Sequence, residues 1–289
     1  MATKTDSGDP GSFASMLKEW RRLSGLSQLE LAMRCGSSQK HISFLESRRS
    51  NPSRVMIFAL SEALEIPMRS RNDLMLAAGF APTYKERPFD DPELESIRMA
   101  IDHILSAHQP YPAIVFDWRH DIIQANDAAM RLMLFLFDVS APEEMPYFSN
   151  NLLRGMLHPD GYRASITNWD QTASTLLRRL RSEIFAIGNP EEGIAFLEEL
   201  TAYPGAPEGW RQCADVEWQK PMLTVDFRRG ATSFSLFSTL TSLGSPFDVR
   251  LQEIRIESFF PADDGARQFF EGMGKSAKLQ STQPVADAL

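Results

Sequence analysis

Cysteine is nearly missing: two in 289 residues, Cys35 and Cys213, with no CxxC and no Cys/His ligand spacing around either. A disulfide framework and a zinc site are therefore not expected. Long apolar runs are missing too, and no stretch reaches the roughly 20 residues needed to cross a bilayer. The opening MATKTDSGDPGS lacks the apolar core of a signal peptide, which points to the cytoplasm and away from a membrane. There is no G-x-S-x-G nucleophile elbow and no Gly-rich phosphate loop. His158 and Asp160 lie near Ser165, but without a second metal-spaced pair they do not make an acid–base or metal site, so an enzyme is not expected. His120 or His158 would have to hold the iron of a sensor haem, yet neither stands in an attachment motif, and no cysteine has a strand context suited to a flavin. No cofactor is expected. What is present is an ordinary soluble composition, 43% hydrophobic and 24% charged, which allows a large core. The length suits two domains.

One stretch organises the rest, from Leu26 to Ser53. Ser27 precedes Glu30 by three residues, the spacing of a capping box, so a helix starts there. Leu31 and Ala32 give that helix a buried seam, and Gly36 lets the chain leave it sharply. Ser38 caps a second helix whose buried side is Ile42 and Leu45. Gln39, Lys40, Ser43 and Phe44 then face away from the seam. Exposed Gln and Lys at the start of a helix suit the major groove, where Gln pairs with adenine edges and Lys with guanine acceptors. A capped helical hairpin in any small bundle fits the same spacing.

The run Ser27-Gln28, Leu31-Ala32, Gly36, Ser38, Ile42, Leu45-Glu46 and Asn51-Pro52-Ser53 resembles the phage Cro/C1-type (XRE) helix-turn-helix family over the first quarter of the chain. The resemblance implies that Ser38, Gln39, Lys40 and Phe44 point at base edges and that Gln28 holds a phosphate. Phe44 departs from the usual polar residue, which leaves contact with a thymine methyl or inward packing open, a lone aromatic favouring the second.

A net charge of −8 at first argues against a nucleic-acid partner. The average hides a split: residues 1–85 carry +4 and residues 86–289 carry −12. Attraction to phosphate is local on the scale of a Debye length, so a basic module can bind DNA beside an acidic domain. Arg48, Arg49 and Arg54 are the expected phosphate contacts, with a solvated basic rim as the alternative for each.

In order, the pattern predicts an all-α five-helix domain over residues 1–80. A flexible lead-in precedes a helix Phe13–Leu23 that buries Leu17 and Trp20. After the two motif helices, Met56, Ala59, Leu60, Ala63 and Leu64 recur at helical spacing, and Ser70–Ala78 forms the fifth helix. Residues 81–92, with three prolines, read as a linker. Residues 93–274 read as an α+β domain: a helix 93–107, a hairpin of strands 113–116 and 122–125 around Arg119-His120-Asp121, and Asn126 capping an apolar helix through Phe137. That apolar segment suits either plain core or contact with an apolar ligand. Helices follow at 152–157, from 162 to about 187, and at 191–200. Strands return around Leu223–Phe227, Phe234–Leu236 and Ile254–Ile256. Five antiparallel strands interrupted after the second by helices give a PAS-like sheet that cups a ligand. Residues 275–289 read as a flexible tail.

The phrases RPFDDPELESIR, YPAIVFDWRHDIIQAN, NLLRGMLHPDGYRASITNW, LTAYPG, FSLFSTLTSLGSPFDV and LQEIRIESFFPAD resemble the MmyB-like transcription regulators. The resemblance implies an XRE-type head joined to a PAS-like domain that binds an apolar ligand of fatty-acid type. Such a ligand needs an apolar tunnel and a cationic or amide anchor for its carboxylate. Arg154, His158, Arg163 and Asn168 cluster around one turn, and Asn126 sits at a helix start that favours an anion. They are the expected ligand-binding residues, the alternatives being structural: Asn126 as an N-cap, His158 and Asp160 as turn residues, Arg154 and Arg163 as surface or ion-paired groups. The expected whole is a homodimer that binds a double-stranded DNA operator and answers to a ligand. A constitutive DNA-binding protein whose second domain only dimerises is the other reading.

Overall fold

The computed structural model describes residues 11–187, 190–211, 222–244 and 246–281. Most of the expected lead-in and residues 282–289 of the expected tail lie outside the described residues. Ser12, Ser27, Ser38 and Ser53 each stand one residue before a helix, and each hydroxyl accepts from the backbone N–H three residues on. They start α1 (Phe13–Leu23), α2 (Gln28–Arg34), α3 (Gln39–Glu46) and α4 (Arg54–Ala63). At Ser27 the box is complete, since the Ser27 amide also donates to Glu30 Oε2 at 2.7 Å. Gly36 turns the chain between α2 and α3 at φ +66°, where a side chain would be strained. Pro67 precedes α5 (Met68–Ala77).

Leu17, Leu31, Ile42, Leu45, Ile57, Leu60 and Leu74 close the core of this five-helix head. In α4 the buried face is Ile57, Leu60 and Ser61, while Met56, Ala59 and Ala63 are only half-buried. The sequence pattern shares Leu60 and Leu64 with the observed face but misses Ile57, the branched residue that fills the centre.

Two compact units divide the chain. The first takes in the head up to Arg87 and short later stretches, among them Pro246–Gln252. The first half of the expected linker is thus tied down. Asn72 Oδ1 accepts from the amides of Thr83 and Tyr84, and Asn72 Nδ2 donates to the Tyr84 carbonyl. Lys85 O accepts from Val249 N at 2.9 Å. Buried Asp248 accepts from the Arg87 amide and guanidinium, each at 3.1 Å. The division falls at Arg87/Pro88, inside residues 81–92.

The second unit begins with a 3-10 turn at Pro92–Leu94 and α6 (Glu95–Ala107). Its sheet is built from β1 (Ala113–Phe116), β2 (Ile122–Ala125), β3 (Val225–Arg229), β4 (Thr232–Ser242) and β5 (Arg255–Pro261). The order is β2-β1-β5-β4-β3, with every neighbouring pair antiparallel. Between β2 and β3 come α7 (Asp127–Phe137), α8 (Leu152–Leu157), α9 (Trp169–Ile187) and α10 (Pro190–Thr201), and α11 (Val249–Glu253) precedes β5.

Two expectations are corrected. The single helix from 162 to 187 is instead a 3-10 turn, Tyr162–Ser165, followed by α9. Ile166 bridges to Phe227 and Thr167 N donates to Asp226 O, so β3 takes peptides a continuous helix would have used, and the Asn168 side chain bonds to the backbone of Thr224 and Asp226. The last helix also runs on over residues 275–281 of the expected tail. Asp263 Oδ1 accepts from the Ala266 amide and opens α12 (Asp264–Ser281), which buries Ala266 and Phe270 against the sheet. Phe269 stacks on Phe234 with centroids 4.5 Å apart.

Candidate functional site

The first candidate surface is the start of α3. Ser38 caps it by accepting from the His41 amide at 3.2 Å, and Ile42 and Leu45 anchor its rear in the core. Ser38, Gln39 and Lys40 are exposed, so the first turn offers an amide and an ammonium to a partner. Phe44 does not join the core cluster. It is half-buried, with Lys40 Nζ 5.5 Å and Arg49 Cζ 5.9 Å from its ring centroid, a cation-flanked aromatic at the surface. Inward packing is thus not what the fold gives it, because Ile42 and Leu45 already fill the seam.

Behind α3 lies a buried polar lock. Glu46 accepts from Arg21 Nε at 2.6 Å, from Arg21 Nη2 at 3.0 Å and from Gln28 Nε2 at 2.9 Å, tying α3 to α1 and α2. The hydrogen bond to Glu46 raises the Arg21 pKa above its ordinary value, burial opposing it. Gln28, expected at a phosphate, therefore has one amide proton committed inward. Arg48, held at φ +59°, donates to Ser12 Oγ, and Arg54 donates to Thr83 Oγ1.

The second candidate site is a cavity of about 200 Å³ inside the second unit. Leu152, Leu153 and Met156 of α8, Thr175 and Leu176 of α9, Met222, Leu223 and Val225, Leu236 and Phe237 of β4, and Phe259 of β5 form walls that are mostly hydrocarbon. Four polar side chains complete the lining: His120, Arg179, Ser238 and Glu257. Arg179 Nε donates to Glu183 at 2.8 Å and Nη1 to Glu257 Oε1 at 3.4 Å. Ser238 donates to the same Glu257 oxygen at 2.5 Å. Nη2 of Arg179 is buried and has no hydrogen-bond partner among the described residues. Burial works against the Arg179 charge, but the carboxylates of Glu257 and Glu183 outweigh it and hold the pKa above its ordinary value.

His120 closes the hairpin between β1 and β2 in the left-handed region, at φ +63°, and is 2% exposed. Its ring stacks on Phe116, centroids 4.8 Å apart, and Nε2 lies 3.5 Å from Glu183. Burial first, then the Arg179 charge, pushes its pKa down to about 3, so the imidazole is neutral. Among the described residues no group of three or more His, Cys, Asp or Glu is placed to hold a metal ion.

None of the five expected ligand residues is part of this lining. Asn126 is buried, its Oδ1 accepting from Ala113 N and Ala129 N while its Nδ2 donates to Leu105 O and Tyr111 O. Arg154 makes a two-bond pair with Glu199, at 2.7 and 2.8 Å, and lies over the Phe196 ring; the hydrogen bonds to Glu199 raise its pKa. His158 stacks on Phe148 and accepts from the Asp160 amide. Arg163 donates to Pro204 O and lies over Trp169. Asn168 joins the start of α9 to β3. Asn126, Arg154 and His158 thus have the capping, pairing and turn partners of their alternative roles, whereas Arg163 and Asn168 bond to backbone groups. The residues sequence reasoning missed are Arg179, Ser238 and Glu257. Glu257 had a signal: it sits between Ile256 and Ser258-Phe259-Phe260, in a strand too apolar for one open face.

A family model described as the MmyB-like transcription regulator ligand binding domain matches residues 97–272, and one described as Helix-turn-helix matches residues 17–70. No curated protein matches the chain. Among solved structures the chain is similar to that of an RNA-binding Light-Oxygen-Voltage receptor, at 11% identity and a TM-score of 0.28, over 91% of this chain and 63% of that one. The chain thus spans less than two thirds of that receptor, and so weak a likeness carries no argument about function. No helix among the described residues is long and apolar enough to cross a membrane.

Proposed function

Because the chain belongs to the family of MmyB-like transcription regulators, we propose that it reads a specific operator through α3 and answers to an aliphatic small molecule held in the cavity of its second unit. The observation that carries this reading is the pairing, in one chain, of an exposed recognition turn at Ser38–Lys40 with a largely apolar cavity. The walls of Leu, Met, Val and Phe suit an alkyl body of the fatty-acid type that the family resemblance implies. The DNA-bound form is a homodimer on two half-sites about one helical turn apart, as other helix-turn-helix dimers are. Base contacts fall to Ser38, Gln39, Lys40 and Phe44, and phosphate contacts to Gln28, Arg48, Arg49 and Arg54.

A ligand changes operator affinity only by binding the DNA-competent and incompetent states unequally. Chain continuity supplies a route: Pro246–Gln252 belongs to the first unit and leads within three residues into β5, which carries Glu257 and Phe259 to the cavity.

Operator selection followed by titration against salt tests the DNA half. Gln39→Ala is expected to cost about 1–3 kcal/mol on the selected operator and little on random DNA. Arg49→Ala is expected to weaken binding to all sequences alike and to lower the salt slope by about 1. Equal losses on operator and random DNA from Gln39→Ala would refute the base contact. Native mass spectrometry of the purified chain, with organic extraction, tests the rest by giving subunit count and bound molecule together. A ligand-free dimer that refuses added lipids would leave the second unit as a dimerisation module.

A further inference from the structure

We infer that Phe44 reads the 5-methyl group of a thymine in the major groove, and so supplies a base preference that no hydrogen bond makes. The inference rests on the reading that α3 enters that groove. Ile42 and Leu45 fill the buried seam of α3, and the Phe44 ring stands outside the core cluster of the head. It is half-buried, held against the helix with part of its surface open. Exposed Lys40 lies one turn before it, with Nζ 5.5 Å from the ring centroid, so ammonium and ring share one face. Exposed Arg49 brings its guanidinium carbon to 5.9 Å from the same centroid.

These two cations select the kind of surface that covers the ring. An apolar protein face laid there would strip water from both charges and offer them no partner. DNA offers each one a partner: base acceptors for Lys40 and a phosphate for Arg49. The ring itself has neither donor nor acceptor for a base edge. The apolar group that the major groove presents is the methyl of thymine, and an aromatic edge is among the side-chain groups that pack on it. Helix geometry places that base. Phe44 follows Lys40 by four residues, about 6 Å along the helix axis, against a rise of about 3.4 Å per stacked base. The thymine therefore lies within about two base pairs of the base that Lys40 takes.

The test removes methyl groups from the selected operator and leaves every hydrogen bond in place. Deoxyuridine replaces thymine at one position at a time in both half-sites, and each DNA is titrated with wild type, Phe44→Ala, Phe44→Leu and Gln39→Ala. Burial of one methyl group is worth about fourfold in affinity. The wild type is thus expected to lose about fourfold per half-site at one thymine position and little at the others. Phe44→Ala is expected to bind the thymine and uracil operators equally, whereas Phe44→Leu, which keeps an apolar group, retains part of the difference. A wild type indifferent to uracil at every position would overturn the inference, and this comparison needs no variant. A methyl dependence that persists undiminished in Phe44→Ala would overturn it equally. In either case a Gln39→Ala loss confined to the operator leaves the groove reading standing. If Gln39→Ala instead weakens operator and random DNA alike, the groove reading falls and takes the inference with it.

Discussion

Replacing His120 by Gln is expected to flatten the acid limb of the stability curve. In the unfolded chain this imidazole takes up a proton near its ordinary value of 6.5, whereas in the fold, 2% exposed and beside Arg179, it stays neutral down to about 3. The folded pKa lies below the unfolded one, so between these values the unfolded state binds more protons and acid favours it. His120 therefore costs nothing above about pH 6.5 and removes about 1.4 kcal/mol of stability for each unit below, on the order of 4–5 kcal/mol by pH 3. The protein's own carboxylates add to the acid loss, but they are common to wild type and variant, and the difference isolates the histidine. Urea unfolding near neutral pH and at about pH 4.5 should show the wild type losing roughly 2–3 kcal/mol more than His120→Gln between the two. The variant starts lower at neutral pH, having lost the stack on Phe116. Parallel curves would mean that the ring takes its proton inside the fold, which the 3.5 Å approach to Glu183 would then have to explain.

His120 also shows where sequence reasoning reached and where it stopped. The hairpin around Arg119-His120-Asp121 was legible, and its strands 113–116 and 122–125 have the expected bounds, because turn residues and short apolar runs are local signals. So were the serine caps of the head, each a bond between residues three apart. Non-local bonds were not. The expected helix does not run through Ile166 to Asn168, because Asp226 and Phe227, about sixty residues on, pair with the backbone of Thr167 and Ile166, and the Asn168 side chain bonds to the backbone of Thr224 and Asp226. The pairing of Arg179 with Glu257 joins residues 78 apart, and no spacing rule connects them. Pro246–Gln252 reads as a loop beside a strand, and only the buried Asp248, meeting Arg87 across 161 residues, assigns it to the first unit. Ligand chemistry was least legible for the same reason: a cluster of polar residues around one turn, Arg154 to Asn168, is visible in a sequence, whereas a cavity lining drawn from six separate segments is not.

The largest loss in the head is expected from Glu46→Ala. Glu46 and Arg21 side chains are 4% and 13% exposed, so the guanidinium left behind keeps a charge that water hardly reaches, with the Leu26 carbonyl as its remaining hydrogen bond. Breaking one side of such a pair costs about 3–5 kcal/mol, against about 1 kcal/mol or less for a pair at the surface. Because the same carboxylate ties α1 and α2 to α3, operator and random DNA should lose affinity together, unlike the selective loss from Gln39→Ala. Thermal unfolding and DNA titration of the same variant check both halves. The double change Arg21→Met, Glu46→Met is the sharper test. With both charges gone there is no stranded cation, and the pair of methionines fills much of the same volume with hydrocarbon. The double variant should be more stable than either single one, a coupling of about 2 kcal/mol or more. Strict additivity would mean that solvent reaches the pair. Recovery of stability with recovered DNA binding would show the lock acting by holding α3 in place; recovery of stability alone would assign Arg21 or Gln28 a direct part in binding DNA.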